Sequence, residues 1–248
     1  MDTSQVPSPV AAAPKSAPAP APLGWTDGAL EALKWVALAS MFVDHFGRHL
    51  MGHPQDGWVF ALGRIAFPLF ALVLGLNLAR EGDRARRAAR TAMRLALWCA
   101  IAVLPSIWAR GDPWVINVLG TLGLSALVCW ALESDAALPL RLATCVAAAG
   151  AALLVEFGVA GVFLAPAVYL AASRRDVGLA LLAAVLLGAV AWLNASFGGM
   201  PALAGTLAGV LLAVAVRRAP LHVPRAQWFF YVTYPLHLAL IGAMKHFA

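Results

Sequence analysis

The chain has 248 residues, 62% of them hydrophobic and 12% charged, with a mean hydropathy of +0.79 and a formal charge of +6. Soluble domains carry about 25% charged residues, so an ordinary globular domain is excluded; intrinsic disorder, which needs low hydrophobicity, is excluded with it. At about 20 apolar residues per span, roughly 220 residues hold about eight to ten membrane helices and leave no room for a soluble catalytic domain.

Residues 1–29 read as a disordered cytoplasmic tail. Pro7, Pro9, Pro14, Pro18, Pro20 and Pro22 alternate with Ala and Ser, a composition that stays extended. A basic region followed by an apolar one is missing, so this is no cleaved signal peptide. Residues 30–248 form the transmembrane domain. Its apolar runs cover residues 30–51, 58–80, 92–109, 114–132, 139–156, 158–172, 177–194, 201–217 and 226–246. The run at 158–172 is short and reads either as a span or as a re-entrant or broken segment. The expected fold is all-α, a polytopic transmembrane helical bundle of about nine spans.

Lys and Arg orient it. With the N-terminus in the cytoplasm, that side holds Lys15 and twelve arginines (80, 84, 86, 87, 90, 94, 141, 174, 175, 217, 218 and 225); the outer side holds Arg48, Arg110 and Lys245. Nine spans then put the C-terminus outside. The basic excess is a topology signal, and no nucleic-acid partner is expected. Cys99, Cys129 and Cys145 lie inside apolar runs without metal spacing and read as small core residues; no metal is expected.

An ionisable side chain at membrane depth costs at least ~2.5–3.5 kcal/mol on insertion scales, so each needs a reason. The first run carries Lys34, Asp44, His45 and Arg48. Eleven residues at 100° each put Lys34 and His45 on one helix face, roughly 16 Å apart along the axis, with Leu38 and Met41 between them. Asp44 points off that stripe and precedes Arg48 by four residues, an ion-pair spacing. Arg64, about six residues into the second run, reaches the depth of His45 and can neutralise Asp44. Lys34 can instead snorkel to the inner interface. Asn117 and Thr121 open the fourth run, where hydrogen-bonded packing explains them as well as chemistry does. Tyr234 and His237 share a face of the last run. Gly205 and Gly209 form a GxxxG, read as packing. Asp44, His45, Arg64, Asn117 and His237 thus gather in the outer leaflet, while a basic rim led by Arg80, Arg84, Arg86 and Arg87 faces the cytoplasm. An enzyme that takes a phosphorylated donor from the cytoplasm and serves an acceptor at the outer face uses both.

The same residues carry a resemblance. Leu33-Lys34-Trp35-Val36-Ala37-Leu38 leading to Asp44-His45 resembles the opening signature of the TraX family. Gly63-Arg64-Ile65-Ala66-Phe67-Pro68-Leu69-Phe70 is similar to its second, Asn117-Val118-Leu119-Gly120-Thr121-Leu122 to its middle segment, and Phe229-Phe230-Tyr231 through Tyr234-Pro235-Leu236-His237-Leu238 to its closing one. The four come in family order and span residues 33–238.

The resemblance implies a multi-pass acetyltransferase of the bacterial inner membrane, related to the acyltransferase-3 and heparan glucosaminide N-acetyltransferase enzymes, whose basic-x10-His motif Lys34 and His45 match. The donor it implies is acetyl-CoA, with phosphates held by Lys34, Arg80, Arg84, Arg86 and Arg87 and the pantetheine arm directed to His45. His45 is the expected catalytic residue, as a general base or as the carrier of the acetyl group. Asp44 balances local charge, and Arg64, Asn117 or His237 donates to the oxyanion. Membrane lipids surround the protein. The acceptor is a periplasmic-side peptide or glycan: a pilin-like N-terminal amine, an amino sugar or a hydroxyl, with N-acetylation favoured. Many family members carry an acidic residue near the end of the second span, where this chain reads Gly75-Leu76-Asn77-Leu78-Ala79-Arg80; the departure bears on the acceptor more than on acetyl transfer. The rival reading is a proton-coupled transporter with the buried Asp, His and Arg as its relay.

Overall fold

The computed structural model describes residues 21–247. Residues 1–20, most of the expected tail, lie outside them. The rest of that tail holds a short 3-10 turn at Pro22–Gly24 and the first turn of α1 (Asp27–His49), capped by the Thr26 hydroxyl, which accepts from the Ala29 N–H. Next come α2 (Trp58–Gly63), α3 (Ala66–Leu78), α4 (Arg84–Arg110), α5 (Val118–Glu133), α6 (Leu138–Ala151), α7 (Gly158–Arg174), α8 (Val177–Val216) and α9 (Gln227–Phe247). No strand occurs among the described residues, so the all-helical expectation is met. Every apolar run is helical, although the run 58–80 is divided between α2 and α3 and the runs 177–194 and 201–217 share α8.

Three segments, Trp58–Leu78, Arg84–Arg110 and Val177–Val216, are long and apolar enough to cross a membrane. The first comprises α2 and α3, bent at Arg64 and Ile65. Pro68 has no N–H, so the Arg64 carbonyl loses its helical donor there. The third spans two of the expected runs. Forty residues of straight helix would be about 60 Å long, yet Asn194 Nδ2 donates to Thr206 Oγ1 at 2.9 Å. Only a chain that folds back makes that bond. The reversal is at Gly199 (φ 63°, ψ −157°), a left-handed position suited to glycine, and Pro201 starts the returning helix. The short run at 158–172 is neither broken nor split: α7 is continuous over 17 residues.

α3 is the hub. It is apolar on every side, as a fully enclosed helix must be, and packs on α1, α5, α7 and α8, with Leu69, Ala71 and Leu76 at most 1% exposed. The periphery is apolar as well: Val146 on α6 and Leu181, Val185 and Trp192 on α8 are exposed, a surface that water does not favour. Gly205 and Gly209 do serve packing. They let α8 approach the α2–α3 bend so closely that a Cβ on Gly205 would sit 1.9 Å from the Ala61 carbonyl oxygen.

Polar groups collect at two ends. One joins the C-terminal ends of α1, α4 and α9 with the α6–α7 connection: Arg110 pairs with Glu156 at 2.6 Å, and Lys245 Nζ donates to the Ala109 carbonyl at 2.9 Å. The other joins the start of α1, the α3–α4 turn and the loop before α9 through Asp27, Arg80 and Arg225.

Candidate functional site

Asp44 sits near the C-terminal end of α1 and is 1% exposed. Arg48, one turn on, grips it with two bonds, Nε to Oδ1 at 2.5 Å and Nη2 to Oδ2 at 2.9 Å; Arg64 Nη2 reaches the same Oδ2 at 2.8 Å. Both guanidiniums lie over the Phe60 ring, at 5.0 and 4.0 Å. Residue 63 has to be glycine for this contact, because a Cβ there would fall 2.4 Å from Asp44 Cγ. Glu156 is near enough for its charge and those of Arg64, Arg48 and Asp44 to act on one another.

His45 faces the other way. Its Nδ1 lies 2.8 Å from His237 Nε2, the two ring planes being 14° apart with centroids 5.1 Å apart, and His237 Nδ1 lies 3.1 Å from the Thr233 carbonyl oxygen. A carbonyl oxygen only accepts, so a neutral His237 carries its proton on Nδ1 and presents a lone pair at Nε2. His45 then donates from Nδ1, and its own lone pair is at Nε2. No described group bonds to that nitrogen. The arrangement is a half-buried imidazole held in one tautomer, with a proton acceptor aimed away from the pair.

A cavity of about 680 Å³ approaches from the other end. Its wall follows one stripe of α1, Glu31, Lys34, Leu38 and Met41, the face the sequence places in line with His45. The lining stops at Met41 and Tyr234, one helical turn short of His45 and of His237. The deep part is apolar, with Leu74, Leu119 and Leu122; the mouth is basic, with Lys34, Arg80, Arg87, Arg94 and Arg225. Lys34 pairs with Glu31 at 2.7 Å and lies 5.0 Å over the Phe230 ring. Arg80 and Arg225 meet on Asp27, at 2.5 and 3.0 Å. Arg87 donates to the carbonyls of Leu78, Arg80 and Glu81, closing the C-terminal end of α3.

The structure therefore brings Asp44, His45, Arg64 and His237 together and puts Lys34, Arg80 and Arg87 on one cavity. Arg84 and Arg86 are not on its wall, and Arg86 is exposed. Asn117 is committed elsewhere: its Oδ1 accepts from the Leu119 N–H as the cap of α5, and its Nδ2 donates to the Cys99 carbonyl at 3.2 Å. Sequence reasoning does not single out Arg94, Arg225, Asp27 or Glu156 for the site. Arg94 carries a signal, lying seven residues, two turns, beyond Arg87. The others are joined by contacts far apart in the chain.

A family model described as TraX protein matches residues 29–245. Two curated proteins, each named Protein TraX, align over most of the chain. One from Escherichia coli is 34% identical over 229 residues, covering 90% of this chain and 89% of its own length. The other, from Escherichia coli strain K12, is 33% identical over 232 residues with the same coverage. No solved structure matches.

Proposed function

The chain belongs to the TraX family, and from that premise we propose that it is an integral-membrane acetyltransferase. It takes acetyl-CoA from the cytoplasm and acetylates an amine, or failing that a hydroxyl, at the periplasmic face of the inner membrane. One observation carries the reading: a cavity with a cationic mouth and an apolar depth runs along α1 and ends one turn from an imidazole in a fixed tautomer. Cavities of 300–1,000 Å³ suit small molecules, and this one, at about 680 Å³, divides as the donor does, phosphates at the basic end and the thioester arm in the apolar one. In this reading the chain crosses nine times, with the N-terminus in the cytoplasm and the C-terminus outside. A reporter fused after residue 248 that is active only in the periplasm supports the orientation.

In the reaction His45 Nε2 takes the proton of the acceptor N–H as that nitrogen attacks the thioester carbonyl carbon. For the oxyanion we assign Arg64, whose Nε is a buried N–H with no acceptor among the described residues. Collapse breaks the C–S bond, and the leaving thiolate takes from His45 the proton that came from the acceptor. The same lone pair is the nucleophile of a two-step route through acetyl-histidine; incubation with acetyl-CoA alone, followed by mass spectrometry of the α1 peptide, separates the two. The decisive experiment uses purified protein in detergent. His45→Gln should bind acetyl-CoA normally and transfer no acetyl group. Near-normal transfer by a well-folded His45→Gln protein overturns the reading.

A further inference from the structure

Asp27, like Asp44, is shared by two arginines, but where Asp44 is buried Asp27 is nearly half exposed; it is the first residue of α1, and each of its carboxylate oxygens holds a different arginine. Oδ1 accepts from Arg80 Nη2 at 2.5 Å, at the end of α3; Oδ2 accepts from Arg225 Nη2 at 3.0 Å, in the loop before α9. Both arginines line the cavity, and Asp27 does not. Arg87, Arg94 and Lys34 share that wall, whose one carboxylate among the described residues is Glu31, on Lys34. The wall thus carries five cations and one carboxylate, with Asp27 just outside it. Two guanidiniums brought to one pair of oxygens is also the way arginines take a phosphate.

We propose that Arg80 and Arg225 form a seat for a phosphate group of the donor, and that Asp27 is the internal anion that holds this seat until the donor arrives. The inference rests on the acetyl-CoA reading for the donor's identity but not for the seat's chemistry. Asp27 is exposed enough for its pairs to be weak, whereas a phosphate brings more charge and more acceptor oxygens to the same two groups. Binding exchanges one acceptor for another. Asp27 therefore lowers donor affinity while keeping Arg80 and Arg225 in register across three elements of the fold.

The test is titration calorimetry of the full chain in detergent with three probes: coenzyme A, pyrophosphate and pantetheine, which has the arm without the phosphates. Asp27→Asn removes the competitor and keeps the shape. It should tighten coenzyme A and pyrophosphate about two- to fivefold, the worth of an exposed ion pair, and leave pantetheine unchanged. Arg225→Gln should weaken the two phosphate probes and spare pantetheine. Unchanged or weaker binding of both phosphate probes to Asp27→Asn refutes the proposal. If pyrophosphate tightens while coenzyme A binds to neither protein, the seat stands and the acetyl-CoA reading falls.

Discussion

His237 touches His45 and, in the geometry described, nothing that reacts. Replacing it by Leu removes the acceptor at 2.8 Å from His45 Nδ1. A neutral hydrogen bond of this kind is worth about 0.5–1.5 kcal/mol, and about 1.4 kcal/mol is a factor of ten. Losing the bias toward one tautomer should therefore lower turnover by roughly two- to tenfold. Losing the base itself costs about 10²–10⁴, so His45→Gln must be far worse than His237→Leu. His237→Gln returns an acceptor oxygen near the same place and should recover part of the loss. The assay is acetyl transfer from radiolabelled acetyl-CoA, with pH–rate profiles for each variant. The acidic limb of the profile, where protonation removes the base, should persist in His237→Leu and vanish from any residual rate of His45→Gln. A thousandfold loss in His237→Leu together with a mild effect in His45→Gln would refute the reasoning and make His237 the base.

Three further outcomes follow from the packing. Asp44→Asn leaves Arg48 and Arg64 buried without their carboxylate and should destabilise the protein by about 3–5 kcal/mol, measured as a lower thermal midpoint in detergent; an unchanged midpoint would mean the two arginines find other partners. Gly205→Ala pushes a methyl into the Ala61 backbone and should cost about 1–3 kcal/mol, whereas Gly188→Ala, which meets nothing within 4 Å, should be tolerated. Arg87→Gln uncaps the C-terminal end of α3 and should lower the midpoint while Arg86→Gln leaves it in place; equal effects would contradict the capping role.

What the sequence shows is what lies within one helix. Asp44 and Arg48 are four apart, and the stripe of Lys34, Leu38 and Met41 is set by the 3.6-residue period, so both are legible from spacing alone. The two runs inside α8 are separable because Gly199 and Pro201 interrupt them. The contacts that complete the site join distant segments. His45 meets His237 across 192 residues and Asp27 meets Arg225 across 198, and no local rule selects such partners, although their depths can be matched. Asn117 shows the converse. An asparagine ahead of an apolar run is a common helix cap; in this protein Oδ1 makes that cap, and the Cys99 carbonyl takes the Nδ2 donor that an oxyanion role would have needed.

The closed end of the cavity at Met41 and Tyr234 has a bearing on energy conservation. A bacterial membrane stores work as an ion gradient, and a water-filled passage between its two faces would discharge it. Acetyl transfer across such a membrane has to let two carbons through while refusing protons. On the proposed reading, a pit that ends in a thioether and a phenol ring, with the two imidazoles behind them, meets that demand: its lining ends at Met41 and Tyr234, and only the end of a thin acyl arm would have to pass. The same apolar closure would shield a thioester lying in the pit, so that such a donor would be guarded against hydrolysis by the insulation that guards the gradient. Met41→Gly would open both at once, and donor hydrolysis and proton leak through reconstituted vesicles should rise together.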